Sequence, residues 1–145
     1  MDGVFEAPSK ETTEGYALNG PIPSSWTPYL QGLLRIVVAL LFITHGTQKL
    51  FNVPVGPMGQ VPLASKFGVA GIVETFGGLA ALLGLWFRPI AFVLSGEMAV
   101  AYFTADAPRA LWPLLNGGEL PVLYCFIWLF FAAAGPGAFG VRGRR

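Results

Sequence analysis

The chain has 145 residues, of which 54% are hydrophobic and 12% are charged, and its mean hydropathy is +0.60. Soluble domains carry about 25% charged residues, so this composition argues against an ordinary soluble domain and predicts an integral membrane protein. The net charge of +1 lacks the excess of positive charge that is typical of nucleic-acid-binding proteins. One cysteine and one histidine exclude an intrachain disulfide, a four-cysteine metal site and a bis-histidine haem held by this chain.

The two ends of the chain differ from its middle. Residues 1–28 are polar and rich in Gly, Pro, Ser and acidic side chains, without the basic and apolar regions of a secretory signal. We interpret them as an N-terminal extension that could dock onto a partner. Residues 142–145 form a basic tail, which is more typical of an orientation signal than of a polyanion site.

Four apolar segments lie between these ends, at about 29–51, 67–87, 89–107 and 119–134. A membrane helix needs about 20 apolar residues. The sequence therefore predicts an all-α membrane domain over 29–141, a bundle of four transmembrane helices in up-down-up-down order. A tight break at Arg88-Pro89 is expected to separate the second helix from the third. The single cysteine, Cys125, lies in the last apolar segment, where we expect an inert small hydrophobe.

The distribution of basic residues predicts the orientation. With four crossings both termini share one side, which carries five Lys and Arg residues against three on the other. Positively charged loops favour the cytoplasm, so we expect a multi-pass protein of the inner membrane with both termini cytoplasmic. The five are Lys10, Arg88, Arg142, Arg144 and Arg145, and the three are Lys49, Lys66 and Arg109.

Ionisable side chains inside these apolar segments are the main functional signal. Each costs about 2.5–3.5 kcal/mol at the centre of a membrane helix and must be paired, hydrated or used. At 1.5 Å per residue, Arg35 and Glu97 lie about 9 and 12 Å from the cytoplasmic side. Glu74 lies about 10 Å below the opposite side, near His45 and Lys49. The residues concerned are Arg35, His45, Lys49, Glu74 and Glu97.

Depth thus divides the charges into two groups. We expect Arg35 and Glu97 to form an internal ion pair with a structural role. His45, Lys49 and Glu74 could form a second structural pair or a site that exchanges protons, with His45 and Glu74 as the candidate catalytic residues. Asn116 and Glu119 are candidate binding residues at the outer rim of that site.

One segment resembles a known family. It runs from Arg35 through Phe42, His45 and Gly46 to the sequence Lys49-Leu50-Phe51. This segment is similar to the first helix of the DoxX family, small four-helix membrane proteins with an R…FxxHGxxKLF pattern. The resemblance covers about residues 30–141. Further landmarks that match are Glu74, Gly77, Gly78, Gly84, Arg88, the run Asn116-Gly117-Gly118-Glu119, and Gly135-Pro136-Gly137.

The resemblance implies a link to membrane redox systems, because family members resemble subunits of a thiosulfate:quinone oxidoreductase and of assemblies that handle thiols and oxidative stress. One landmark differs, since Arg142 stands where the family commonly has an aspartate. The first hypothesis is an accessory or anchoring subunit of a larger membrane redox complex, surrounded by lipid and by other subunits. The alternatives are a quinone-linked catalytic subunit and a carrier of small molecules or lipids. We expect no cofactor or metal bound by this chain alone, with quinone as the one candidate ligand.

Overall fold

The structure is a computed structural model that describes residues 21–141, and every regular element in that range is helical. The all-α prediction is therefore confirmed there. The basic tail at 142–145 and most of the extension at 1–28 lie outside the described residues. The elements are a 3₁₀ turn (Ser24–Trp26), α1 (Thr27–Phe51), α2 (Lys66–Leu83), α3 (Phe87–Ala101), a π-helical segment (Tyr102–Asp106), the one-turn α4 (Pro113–Asn116) and α5 (Glu119–Ala134).

Two of these helices are long and apolar enough to cross a membrane. They are α1 with its preceding turn, at Ser24–Phe51, and α2 at Lys66–Leu83. The helix α5 is apolar but shorter, with 16 residues. The helix α3 has 15 residues and gains length from the π-helical segment, which continues it to Asp106.

The break between the second and third helices lies earlier than the sequence predicts. The predicted end at Phe87, with a break at Arg88-Pro89, is wrong, because α2 ends at Leu83. Gly84 adopts the left-handed conformation, φ 77°, that commonly ends a helix, and its N–H donates to carbonyls of the last turn. The proline falls in the first turn of α3, where its missing N–H costs nothing.

The helices pack as two pairs, α1 with α2 and α3 with α5, and α2 also contacts α3. Gly46 allows α1 and α2 to approach closely, since a Cβ there would lie 2.6 Å from the backbone nitrogen of Thr75. Phe42 joins the two pairs, with its ring centroid 5.3 Å from that of Tyr124 and 5.4 Å from that of Trp128. These edge-to-face contacts form the buried centre of the fold.

Candidate functional site

A buried ion pair joins the first two helices. Lys49, in the last turn of α1, donates to both carboxylate oxygens of Glu74 on α2, at 2.5 and 2.6 Å. The side chain of Glu74 is 3% exposed and that of Lys49 is 16% exposed. The sequence placed Lys49 near Glu74 but gave His45 as the first partner of that carboxylate. Such a pair needs close contact because removing two charges from water is costly.

The ion pair borders a half-enclosed cavity of about 260 Å³ between the helices. His45 and Tyr124 also line it, and their rings meet edge to face with centroids 6.2 Å apart. Apolar side chains complete the wall, among them Phe42, Phe67, Met58 and Met98. A cavity with an apolar wall and a few convergent polar groups is the usual form of a small-molecule site.

His45 does not pair with Glu74, although both face the cavity. The hydrogen bonds of the Glu74 carboxylate run to Lys49, so the expected His45–Glu74 pair is replaced by the lysine. The imidazole lies within electrostatic range of Lys49. The lysine reaches the carboxylate because its ammonium stands on a long flexible stem.

The predicted ion pair between Arg35 and Glu97 is wrong. The Arg35 guanidinium is fully buried and donates to four backbone carbonyls. Two of these, Ala81 and Leu82, belong to the last turn of α2, where carbonyls lack helical partners. The other two are Pro136 at 2.9 Å and Ala138 at 3.3 Å, in the segment that follows α5.

Glu97 instead lies near the Lys49 ion pair, within electrostatic range of both Glu74 and Lys49. The depth argument gave only the level of Glu97 and not the face of the third helix that it occupies, and in the structure that face lines a cavity between α2 and α3 that Lys49 also borders. Its carboxylate oxygen Oε2 is buried and has no hydrogen-bond partner among the described residues. The charged residues singled out from the sequence therefore divide into one arginine bound to carbonyls and a group of Lys49, Glu74 and Glu97 that lines two neighbouring cavities.

The two rim residues do not line this cavity. Asn116 is buried and holds the loop before α5, donating to the Ala110 carbonyl at 2.7 Å and accepting from the Gly118 N–H at 2.7 Å. Glu119 begins α5, is exposed, and lines a separate shallow surface depression. A structural role accounts for Asn116, and the structure gives no argument for Glu119 as a ligand.

Sequence reasoning missed three polar residues of the cavity: Tyr124, Asp106 and Arg109. Arg109 donates to Asp106 at 2.8 Å, and this pair stands at one end of the cavity. The π-helical segment brings Asp106 to the cavity wall, and such segments are frequent at functional sites. The signal that could have found the pair is its acid–base spacing of three residues at the end of an apolar segment.

The site offers hydrogen-bonding and charged groups rather than a metal cage. Among residues 21–141 no group of three or more His, Cys, Asp or Glu side chains is placed to hold a metal ion. The imidazole, the phenol and the ammonium can together bind a carbonyl or an anionic group, and the carboxylate can accept a proton.

Comparison with known proteins identifies one family. The family model described as DoxX matches residues 30–107 of this chain. A protein of Haemophilus influenzae, described as uncharacterized, is 42% identical over 122 residues, which cover 78% of this chain and 88% of the relative. No solved structure matches the chain.

Proposed function

This chain belongs to the DoxX family of membrane proteins, and on that premise we propose that it is a four-helix subunit of a membrane redox assembly. In this role all four long helices cross the inner membrane, with both termini in the cytoplasm. The subunit is accessory: it anchors or completes a partner that carries the electron-transfer cofactor. The observation that carries the membrane crossings is the broad apolar outer surface of the bundle, and the redox partner is proposed from the resemblance to redox-linked members of the family.

Large apolar side chains cover the outside of the bundle on every long helix. Examples that are more than half exposed are Leu33, Phe76, Phe92, Phe103 and Phe126. Exposure of so much apolar surface to water is unfavourable, whereas contact with lipid tails or neighbouring subunits is not. From Phe87 to Asp106 the third helix has 20 residues, or about 30 Å at 1.5 Å per residue, which matches the hydrocarbon core.

Copurification from native membranes tests this proposal directly. We expect the tagged full-length protein to retain a redox enzyme through purification in mild detergent. Deletion of residues 1–20 should reduce that recovery if the extension is the docking segment. A protein that purifies without any redox partner, with or without the deletion, would contradict the accessory role.

A second role, quinone binding, is favoured by the cavity beside Lys49. Its apolar wall fits a ring, while His45 and Tyr124 are placed to hydrogen-bond to quinone oxygens. Glu74 can accept or return a proton there. A lipid or metabolite carrier would use the same cavity.

Substitutions in the cavity separate quinone binding from simple anchoring. His45→Ala removes a cavity-lining ring, and Glu119→Gln is the matched control because Glu119 is exposed outside the cavity. We expect His45→Ala to preserve assembly with the partner while lowering quinone-linked turnover at least tenfold, and Glu119→Gln to change neither. Equal turnover in both variants would leave anchoring as the function.

A further inference from the structure

A second cavity, of about 480 Å³, lies between α2 and α3, and we refer to it as the α2–α3 groove. It shares Lys49, Phe67, Ala101 and Ala105 with the first cavity, so these residues form the wall between the two. Most of the remaining lining is aliphatic, as at Val73. The volume lies within the range of small-molecule sites.

The groove holds one polar group that the protein leaves unsatisfied. Glu97 lines the groove, and its Oε2 atom is buried without a hydrogen-bond partner among residues 21–141. A buried polar atom without a partner costs about 1–3 kcal/mol, and more if the group is charged. This oxygen is closed off from solvent, so a ligand in the groove meets the exposed part of the half-buried Glu97 side chain. Glu97 is the acidic residue of the groove lining, and its carboxyl group can pair with a ligand there.

The charges around Glu97 restrict the head group of such a ligand. Lys49 lines the inner wall and Lys66 lines the groove near the start of α2, where its ammonium lies 5.2 Å from the ring centroid of Phe67. The ammonium groups of Lys49 and Lys66 disfavour a cationic head group, and the carboxyl group of Glu97 disfavours an anionic one beside it. A hydroxyl group is neutral and both donates and accepts, so it can pair with Glu97 whether that side chain is ionised or protonated.

The lips of the groove lie on the outer surface of the bundle. Val69 on α2 is 53% exposed and Val100 on α3 is 62% exposed, and both line the groove. If these helices cross the bilayer, as the proposed function holds, an apolar tail can leave the groove between the two valines and stay in hydrocarbon.

We propose that the α2–α3 groove binds a lipid-soluble molecule with a neutral, hydroxyl-bearing head group, which enters from the bilayer and hydrogen-bonds to Glu97. This proposal rests on the membrane crossing in the proposed function, but it does not require a redox partner.

A photo-crosslinking competition tests the groove in the full-length protein. The protein is placed in phosphatidylcholine nanodiscs and labelled with a diazirine-bearing long-chain alcohol, and labelled peptides are mapped by mass spectrometry. Competitors are 1-dodecanol, methyl dodecyl ether, which has no donor, and dodecylamine, which is cationic. We expect labelling in α2 and α3, and we expect dodecanol to compete about tenfold better than the ether, the effect of one hydrogen bond to a charged group.

Variants assign the preference to Glu97. In Glu97→Leu, dodecanol and the ether should compete about equally. Glu97→Gln should retain part of the preference for dodecanol, and the matched control Glu119→Leu should retain all of it. Val100→Trp, at an exposed lip, should block labelling without disturbing the interior. Equal competition by alcohol and ether in the unmodified protein, or stronger competition by the amine, overturns the proposal without needing any variant.

These outcomes are distinct from a failure of the proposed function. If the alcohol preference is absent but a redox partner copurifies, only the proposal of groove binding is rejected. If no redox partner copurifies but the alcohol preference is present, only the proposed accessory role is rejected. His45→Ala alters the other cavity and should leave the alcohol preference unchanged.

Discussion

Lys49 lies in the last turn of α1, where its ammonium turns inward and binds both oxygens of Glu74. Glu74 itself sits between Gly71 and Gly78, small residues at the packed face of α2. The carboxylate therefore has little access to other donors, and the lysine alone compensates its charge. Removal of one partner should be much more harmful than removal of both.

We predict that Lys49→Met lowers the free energy of unfolding by about 3–5 kcal/mol, since it leaves a buried carboxylate without its cation. The double variant Lys49→Met with Glu74→Leu should recover most of that loss. Unfolding in detergent followed by circular dichroism measures both. Lys66→Met, at an exposed lysine, is the matched control and should change stability by less than about 0.5 kcal/mol. A double variant as unstable as the single one would contradict the pairing.

Arg35 should not be replaceable by lysine. Its guanidinium reaches carbonyls in two separate segments, and an ammonium has neither the fork nor the number of donors to do so. We predict that Arg35→Lys costs at least about 2 kcal/mol of stability, because hydrogen bonds to charged groups contribute about 1.5–3 kcal/mol each. Thermal unfolding in detergent provides the measurement. Arg88→Lys, at an exposed position, should leave the transition unchanged.

The sequence identified side chains that lie close together, but it did not identify hydrogen bonds from a side chain to main-chain carbonyls. The proximity of His45 and Lys49 to Glu74 follows from their depth in the predicted helices, and the structure brings all three to one cavity. Matching charges of opposite sign led to the wrong partner for Arg35, because its real partners are main-chain carbonyls, which every residue carries. Only knowledge of where α2 ends and where the chain returns after α5 identifies them.

At the scale of elements, the contact between α1 and α2 depends on glycine. A Cβ at Gly46 would lie 2.6 Å from the Thr75 nitrogen and 2.8 Å from the Gly71 carbonyl oxygen, both of which are backbone atoms. We predict that Gly46→Ala forces the helices apart and destabilises the protein by about 1–3 kcal/mol.

Gly96 provides the matched control for Gly46 in the middle of α3. A Cβ there meets nothing within 4 Å, so Gly96→Ala should be neutral or stabilise the helix by up to about 1 kcal/mol. Both variants are compared by thermal unfolding under the same detergent conditions. Equal effects at the two glycines would show that helix propensity, and not the close approach, decides the result.

The elements themselves were predictable where hydrophobicity is continuous. The bounds of α1 and α5 agree closely with the apolar segments, whereas the end of α2 does not. Residues 84–87 are as apolar as the helix before them, so only the left-handed conformation of Gly84 reveals the turn. The π-helical segment has no residue signature, because it reflects an extra residue accommodated in the hydrogen-bond pattern.

At the scale of the whole molecule, the four-crossing arrangement predicts which loops share a side. Val55 lies in the loop after α1 and Leu114 in the short helix α4, at one end of the bundle, and Trp86 lies in the turn at the other end. We predict that Val55→Cys and Leu114→Cys, each in a Cys125→Ala background, react with a membrane-impermeant maleimide only from outside the cytoplasm. Trp86→Cys should react only in inverted vesicles.

The background variant without an added cysteine controls for unspecific labelling. If cysteines at positions 86 and 114 react from the same side, the second pair of helices does not cross, and only α1 and α2 span the membrane. If all three cysteines are labelled from the side opposite to the predicted one, the four crossings are retained and only the predicted orientation is wrong.

Arg35 can complete its hydrogen bonds only after the later parts of the chain that carry its carbonyl acceptors have been synthesised. Pro136 lies 101 residues after Arg35, and Ala81 lies 46 residues after it. At about 5–20 residues per second, a ribosome needs about 5–20 s to produce the last of these acceptors after the arginine itself. During that interval the guanidinium stays hydrated at the interface or held by the insertion machinery. A chain truncated before residue 136 lacks two of the four carbonyls that bind Arg35 and leaves that buried guanidinium short of acceptors.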